Sequence, residues 1–206
     1  MSTRSRFQST REAVFQWAAR ADGNTLRAGV DRFLGALPRD AETVGNAIAF
    51  ALQAPDAEGR APWERYAAAH PSLPRVQRDA LAAWAKGRFG LFEVRGVKRG
   101  VGFTLRDIVA DRVFDVREKA ATDQLAEGDW LFAMIVPNEG ALELEGTLGL
   151  LVEHAREPVL AAVLAAYDGA RDVDAAVSRR AMWPLVEATH AAMLAADEGE
   201  GEGDEE

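Results

Sequence analysis

Hydrophobic residues in the first 88 positions recur every three to four residues, which is typical of amphipathic helices. The pattern predicts five short helices, each ended by a glycine, a proline or a polar turn. Their predicted starts and stops are Ser9 with Glu12 as a capping box, Thr25, Asp40, Pro62 and Gly87. We therefore expect residues 1–88 to form a helical lobe.

At Phe89 the pattern changes to the alternation of half-buried strands. Three alternating pairs predict three strands: Phe92 and Val94, Phe103 and Leu105, Phe114 and Val116. The continuous apolar run 130–136 predicts a central strand, and Leu142 with Leu144 a fifth. Closing the sheet would remove exposed edges. Residues 89–152 are thus predicted to form a small five-stranded antiparallel β-barrel, either SH3-like or OB-like.

Helical spacing returns after residue 152 and predicts a C-terminal helical segment over 153–196. Pro184 either kinks its last helix or begins a new one. Residues 197–206 contain seven acids, no base and no apolar side chain, so we expect a disordered acidic tail. The predicted fold class is α+β.

The net charge of -9 is concentrated in this tail, because residues 1–196 carry only -2. The acidic balance therefore says little about the partners of the folded part. With no cysteine in the chain, a disulfide scaffold, a zinc ribbon and a thiol nucleophile are excluded. No apolar run predicts a membrane span or a secretory signal, so a cytoplasmic protein without a membrane partner is expected.

The residue types that carry catalysis are sparse and scattered. His70, His154 and His190 lack a second histidine at metal-binding spacing. The sequence has no nucleophile elbow, and Gly96, Gly100 and Gly102 read as hairpin glycines rather than a phosphate cradle. We predict no catalytic residue, no cofactor and no metal site.

One local excess of positive charge lies in residues 86–106, where six bases meet one acid, Glu93. Alternation places Arg95 and Arg106 on the outer face of the barrel, and Lys98 with Arg99 at a hairpin tip. A basic face on a small barrel can hold a nucleic-acid backbone. Arg95, Lys98, Arg99 and Arg106 are the candidate anion or nucleic-acid contacts, although the predicted outer face lacks aromatic residues for base stacking.

Several short phrases of the sequence combine core and turn residues: Trp63 to Tyr66, His70 to Leu73, Arg88 to Val94, Gly102 to Asp107, Val116 to Glu118 and Leu125 to Asp129. Together they resemble a region of uncharacterised bacterial proteins, some of which carry a SEC-C zinc motif. The resemblance covers residues 60–146. It implies neither a zinc role, since cysteine is absent, nor any catalytic residue.

Three functions remain open on the sequence. The first is a non-enzymatic interaction module or adaptor that presents the barrel and a helical groove to another protein. The alternative is a nucleic-acid-associated module that uses the basic barrel face, with the tail as a competing polyanion. The third is an enzyme whose polar residues meet only in three dimensions.

Overall fold

A computed structural model describes residues 6–35, 37, 39–167 and 174–200 of the chain. Four helices precede the sheet: α1 (Arg6–Leu34), α2 (Ala41–Gln53), α3 (Pro62–Ala69) and α4 (Arg75–Ala85). The strands are β1 (Arg88–Lys98), β2 (Gly102–Asp107), β3 (Arg112–Val116), β4 (Trp130–Asn138) and β5 (Ala141–Leu151). Three helices follow: α5 (Arg156–Ala166), α6 (Ala175–Arg180) and α7 (Met182–Glu200). The α+β fold class is confirmed.

Helix α1 combines the first two predicted helices across a kink at Asp22, where φ is -156° and ψ is 60°. The break is where the sequence predicts it, but the cap differs. The Asp22 carboxylate accepts a hydrogen bond from the Thr25 N–H at 3.3 Å, so Asp22 rather than Thr25 caps the second half. The pKa of Asp22 is lowered, and its hydrogen bonding with Thr25 is the largest of several causes.

The predicted capping box of Ser9 and Glu12 is wrong. Because α1 already begins at Arg6, Ser9 lies inside the helix, and its hydroxyl donates to the Arg6 carbonyl at 3.1 Å. The two later helix starts are confirmed. Asp40 caps α2 by accepting from the Thr43 N–H at 2.9 Å, and Pro62 is the first residue of α3.

The five strands close into a barrel in the order β1-β2-β3-β5-β4, which confirms the predicted barrel. The first three strands follow one another through short turns, and β4 returns through residues 117–129 to lie beside β1. That arrangement is the Greek key. A five-stranded Greek-key barrel has the topology of OB-folds, which decides between the two alternatives left open by the sequence.

Pairing in the sheet is antiparallel between β1 and β2 and between β2 and β3. Strand directions cannot alternate all the way round a closed ring of five, so at least one neighbouring pair is parallel. In β1 the register shifts between Val94 and Gly96, which leaves Arg95 as the extra residue of a β-bulge.

Two compact units divide the chain, and the first contains residues 1–88 and 134–148. Trp63 packs edge-on against Trp84 with ring centroids 6.4 Å apart, and Phe33 lies 5.1 Å from Phe50. Arg11 of α1 binds the buried carboxylate of Glu145, with its Nε at 3.1 Å. Burial raises the pKa of Glu145, and the charge of Arg11 partly offsets that shift.

The second unit contains residues 89–133 and 149–206. Inside it, the buried Phe89 ring stacks on Phe132 at 6.5 Å. The Phe89 backbone is also bonded to two helical side chains. Its N–H donates to the Ser178 hydroxyl at 3.2 Å, and its carbonyl accepts from the Tyr167 hydroxyl at 3.4 Å. The first residues of β1 are thereby covered within this unit.

The last described helix, α7, contains Pro184 in its first turn, where the missing N–H costs no helical hydrogen bond. The helix continues to Glu200, four residues into the predicted tail. Residues 201–206, the rest of that tail, and residues 168–173 of the predicted C-terminal segment lie outside the described residues.

Candidate interaction surfaces

Arg106 on β2 is paired on both sides with carboxylates. Its Nε donates to Asp111 at 2.7 Å, and its Nη1 donates to Glu93 on β1 at 3.2 Å. Glu93 and Arg106 are direct cross-strand partners, so the pairing follows from the register. The hydrogen bond to Asp111, with a smaller contribution from Glu93, raises the pKa of Arg106.

Arg95 points outward from the β-bulge and binds the same carboxylate, with Nη1 at 3.1 Å from Glu93 Oε1. On the same outer face Thr104 donates to Asp115 at 2.8 Å. This face of β1, β2 and β3 therefore combines two arginines with three carboxylates. It is not the cationic surface that the local count of charges suggests.

The tip of the β1–β2 hairpin is attached to the 3₁₀ turn Ala120–Asp123. Arg99 donates to the Thr122 carbonyl at 3.3 Å and to the Asp123 carboxylate at 3.1 Å, and the Gly100 N–H donates to the Thr122 hydroxyl. The Lys98 side chain is exposed and has no hydrogen-bond or ion-pair partner among the described residues. Of the four candidate contacts, Arg95, Arg99 and Arg106 are thus already bound to carboxylates.

OB-folds that bind oligonucleotides use the face of strands 2 and 3 and the loops between strands 1 and 2 and between strands 4 and 5. Here those loops have only three residues, 99–101, and two residues, 139–140. The outward position opposite Arg106 is Val113, which is 63% exposed and offers no ring for stacking. Phe114, predicted to face the core, is half-buried and packs edge-on against Phe92.

The three histidines belong to three different elements. His70 ends α3 and its Nδ1 is 2.9 Å from the Tyr66 carbonyl, while His190 lies within α7. His154 belongs to the 3₁₀ turn Glu153–Ala155. Across the described ranges, no group of three histidine or acidic side chains is placed to hold a metal ion.

An open apolar groove lies in the second unit, where α5 packs against α7. Its volume is about 520 Å³, and it is lined by His154, Pro158, Ala191, Ala192 and Ala195. The three alanines share one face of α7, because Ala195 lies three and four positions after the other two, and residues at those spacings are neighbours on a helix surface. Leu194, which directly precedes Ala195, is 52% exposed, and Val152, two residues before His154, is 50% exposed.

The acidic residues Glu153 and Glu157 lie next to two of the lining residues in the sequence. Each is exposed and adjoins a lining residue along the chain, His154 and Pro158 respectively. The base between them, Arg156, is engaged elsewhere. Its guanidinium lies 5.4 Å from the centre of the Trp130 ring and donates to the Gly128 carbonyl at 3.3 Å.

Few features of the sequence predict this groove. Alanine carries no chemical signal, and an Ala-rich helix reads first as good helix propensity. The lining also joins residues more than thirty positions apart, so no local window contains it. The exposed Leu194 is the one local sign, since an apolar residue on the outer face of a helix interrupts the amphipathic pattern.

Comparison with family models, curated proteins and solved structures finds no match for this chain. The resemblance to the bacterial region that accompanies some SEC-C motifs therefore stays a prediction. Among the helices of the described ranges, none has the length and apolar character needed to cross a bilayer.

Proposed function

We propose that this protein is a non-enzymatic interaction module, or adaptor, that docks another protein in the groove between α5 and α7. The observation that carries the proposal is the groove itself, an open apolar cleft of about 520 Å³, with exposed Val152 and Leu194 within two residues of its lining in the sequence. Grooves of this kind accept an amphipathic helix of a partner. The proposal keeps the cytoplasmic location expected from the sequence.

Small side chains suit this use. A floor of alanines lets the backbone of an incoming helix approach closely, as ridges of one helix pack into the grooves of another. Ala192 is buried and forms the floor, whereas Ala191 and Ala195 are exposed and remain accessible. The fold of α5 and α7 supplies the cleft without any rearrangement.

The nucleic-acid alternative has weaker support. Its four candidate contacts include three arginines already paired with carboxylates, so an incoming phosphate would have to displace those partners. Phosphate contacts supply most of the non-specific affinity for nucleic acid. The alternative now depends mainly on Lys98.

Photo-crosslinking in the native host tests the proposal. A photoreactive amino acid replaces Ala191 in the groove or, as the matched control, Ala82, an exposed alanine of α4. We expect a discrete adduct with another protein from position 191 and not from position 82. Equal adduct patterns from the two positions, or none from position 191, would contradict docking in the groove.

A further inference from the structure

We infer that the groove between α5 and α7 takes a cationic amphipathic helix of a partner protein. The inference rests on the proposed docking function and adds the chemistry of the occupant. Three features of the second unit determine that chemistry: the apolar lining, the acids next to it in the sequence, and the charge of residues 197–206.

The lining sets the shape of the occupant. Ala191, Ala192 and Ala195 form a smooth strip along α7, opposite His154 and Pro158. An extended peptide gains affinity by pairing its backbone with a sheet edge, which this cleft lacks. A helix instead buries a stripe of apolar side chains along such a strip and satisfies its own backbone hydrogen bonds.

The acids next to the lining in the sequence set the charge of the occupant. Glu153 and Glu157 are exposed and directly precede the lining residues His154 and Pro158 in the sequence, and Arg156 between them is bound to Trp130 and the Gly128 carbonyl. Neither carboxylate has an ion-pair partner among the described residues. Lysines or arginines along the edge of an incoming helix would supply partners for both.

The sequence that follows Ala195 is also strongly acidic. Residues 197–206 begin two positions after Ala195 and carry seven negative charges with no base. A surface potential of one sign attracts a partner of the opposite sign and accelerates its association.

The same charge disfavours a second copy of this chain as the occupant. A symmetric pair would place identical surfaces face to face. Glu153 and Glu157 of one copy would then meet the same acids of the other, at a cost in like-charge repulsion. A partner of opposite charge avoids that cost.

Designed peptides test the inference on the full-length protein. Three labelled helical peptides of about five turns share one leucine and alanine face, and carry lysine, glutamine or glutamate on the other face. Binding is followed by fluorescence anisotropy at low and high salt. We expect the lysine peptide to bind, with an affinity that falls as salt rises, and the glutamate peptide not to bind.

Protein variants locate the binding. Glu153→Lys with Glu157→Lys should weaken the lysine peptide by at least about tenfold, whereas Glu58→Lys, the same change at an exposed site of the other unit, should have an effect within about twofold. Ala191→Trp, or Ala195→Trp as a second blocking variant, should abolish binding, and Ala82→Trp should not. Circular dichroism and thermal melting verify that each variant is folded.

Equal binding of the lysine and glutamate peptides would overturn the inference, as would lysine-peptide binding that survives both tryptophan substitutions. If no peptide binds while position 191 still forms its adduct in the host, the cationic helix is wrong and the docking function stands. If the adduct is also absent, the docking function itself fails.

Discussion

Arg106 on β2 donates to the Glu93 carboxylate on β1 at 3.2 Å. The same carboxylate binds Arg95, so one acid compensates two of the bases that made this barrel face a candidate nucleic-acid surface. Asp111 and Asp123, which lie beyond the basic stretch in sequence, bind Arg106 and Arg99. The barrel face is thus a network of paired charges.

That pairing predicts no nucleic-acid binding even when the acidic tail cannot compete. Protein truncated after Ala196 should not bind single- or double-stranded oligonucleotides at low salt. Glu93→Gln removes the shared partner of Arg95 and Arg106, so it should introduce weak binding with a log–log salt slope of about -2 at most. Glu58→Gln is the control. Truncated wild-type protein with a slope of about -3 to -4 would show that all four candidate residues contact phosphate.

Gly102 on β2 packs closely against β3, and a matched pair of glycine variants tests this packing. A Cβ at Gly102 would run into the Val116 carbonyl oxygen, a backbone atom that cannot move aside, whereas Gly96 has open space around it. Gly102→Ala should lower the free energy of unfolding by about 1–3 kcal/mol. Gly96→Ala should change it by less than about 1 kcal/mol. Urea denaturation measures both, and equal effects would contradict the close approach of β2 and β3.

Ser178 is fully buried and accepts the Phe89 N–H, so its hydroxyl should matter to the stability of the second unit. Ser178→Ala removes this buried hydrogen bond and should cost about 1–3 kcal/mol. Ser72→Ala, at an exposed position, is the control and should be close to neutral. Hydrogen exchange checks the mechanism, because the amide of Phe89 should lose protection in the Ser178 variant alone.

The pair of Arg11 and Glu145 predicts a pH-dependent difference. Burial raises the pKa of Glu145 above its ordinary 4.5, so the folded state holds this proton more tightly than the unfolded state. Wild-type stability should therefore fall as pH rises from about 4.5 through the raised pKa. The glutamine of Glu145→Gln cannot titrate. The free energy of unfolding of this variant minus that of wild type should therefore increase between about pH 4 and about pH 7.

Removing Arg11 instead of Glu145 should lower the free energy of unfolding at neutral pH. Arg11→Met leaves the buried carboxylate alone and should cost about 2 kcal/mol at neutral pH. This is below the value for a fully buried pair, because the Arg11 side chain is 35% exposed. The double variant Arg11→Met/Glu145→Gln should recover part of the loss, and a double variant no better than Arg11→Met would contradict this explanation.

The hydrophobic pattern predicted the elements well because each short helix or strand buries one face. The change of period at Phe89 marks the start of the sheet, and Asp22 to Asn24 mark the kink of α1. Caps were predicted less well. Ser9 matches a capping box, yet the helix starts three residues earlier, and Asp22 competes successfully with Thr25 as the cap.

Surfaces were harder to predict than elements, because they depend on contacts between distant residues. A charge count over one segment includes Arg99 and Arg106 but not their partners Asp123 and Asp111, which the hairpins bring alongside. The groove likewise joins Pro158 to Ala191 across two helices. Strand order also depends on long-range pairing, and it was the order β1-β2-β3-β5-β4 that distinguished the OB topology.

The central claim is that a protein partner docks in the groove and not on the barrel face. Its most direct test compares Ala191→Trp with the double variant Lys98→Glu/Arg99→Glu, each expressed in the native host and purified after chemical crosslinking. We predict that the groove variant loses the partner captured by the wild-type protein and that the barrel-face variant retains it. Retention by Ala191→Trp together with loss by Lys98→Glu/Arg99→Glu would contradict the claim and return the function to the barrel.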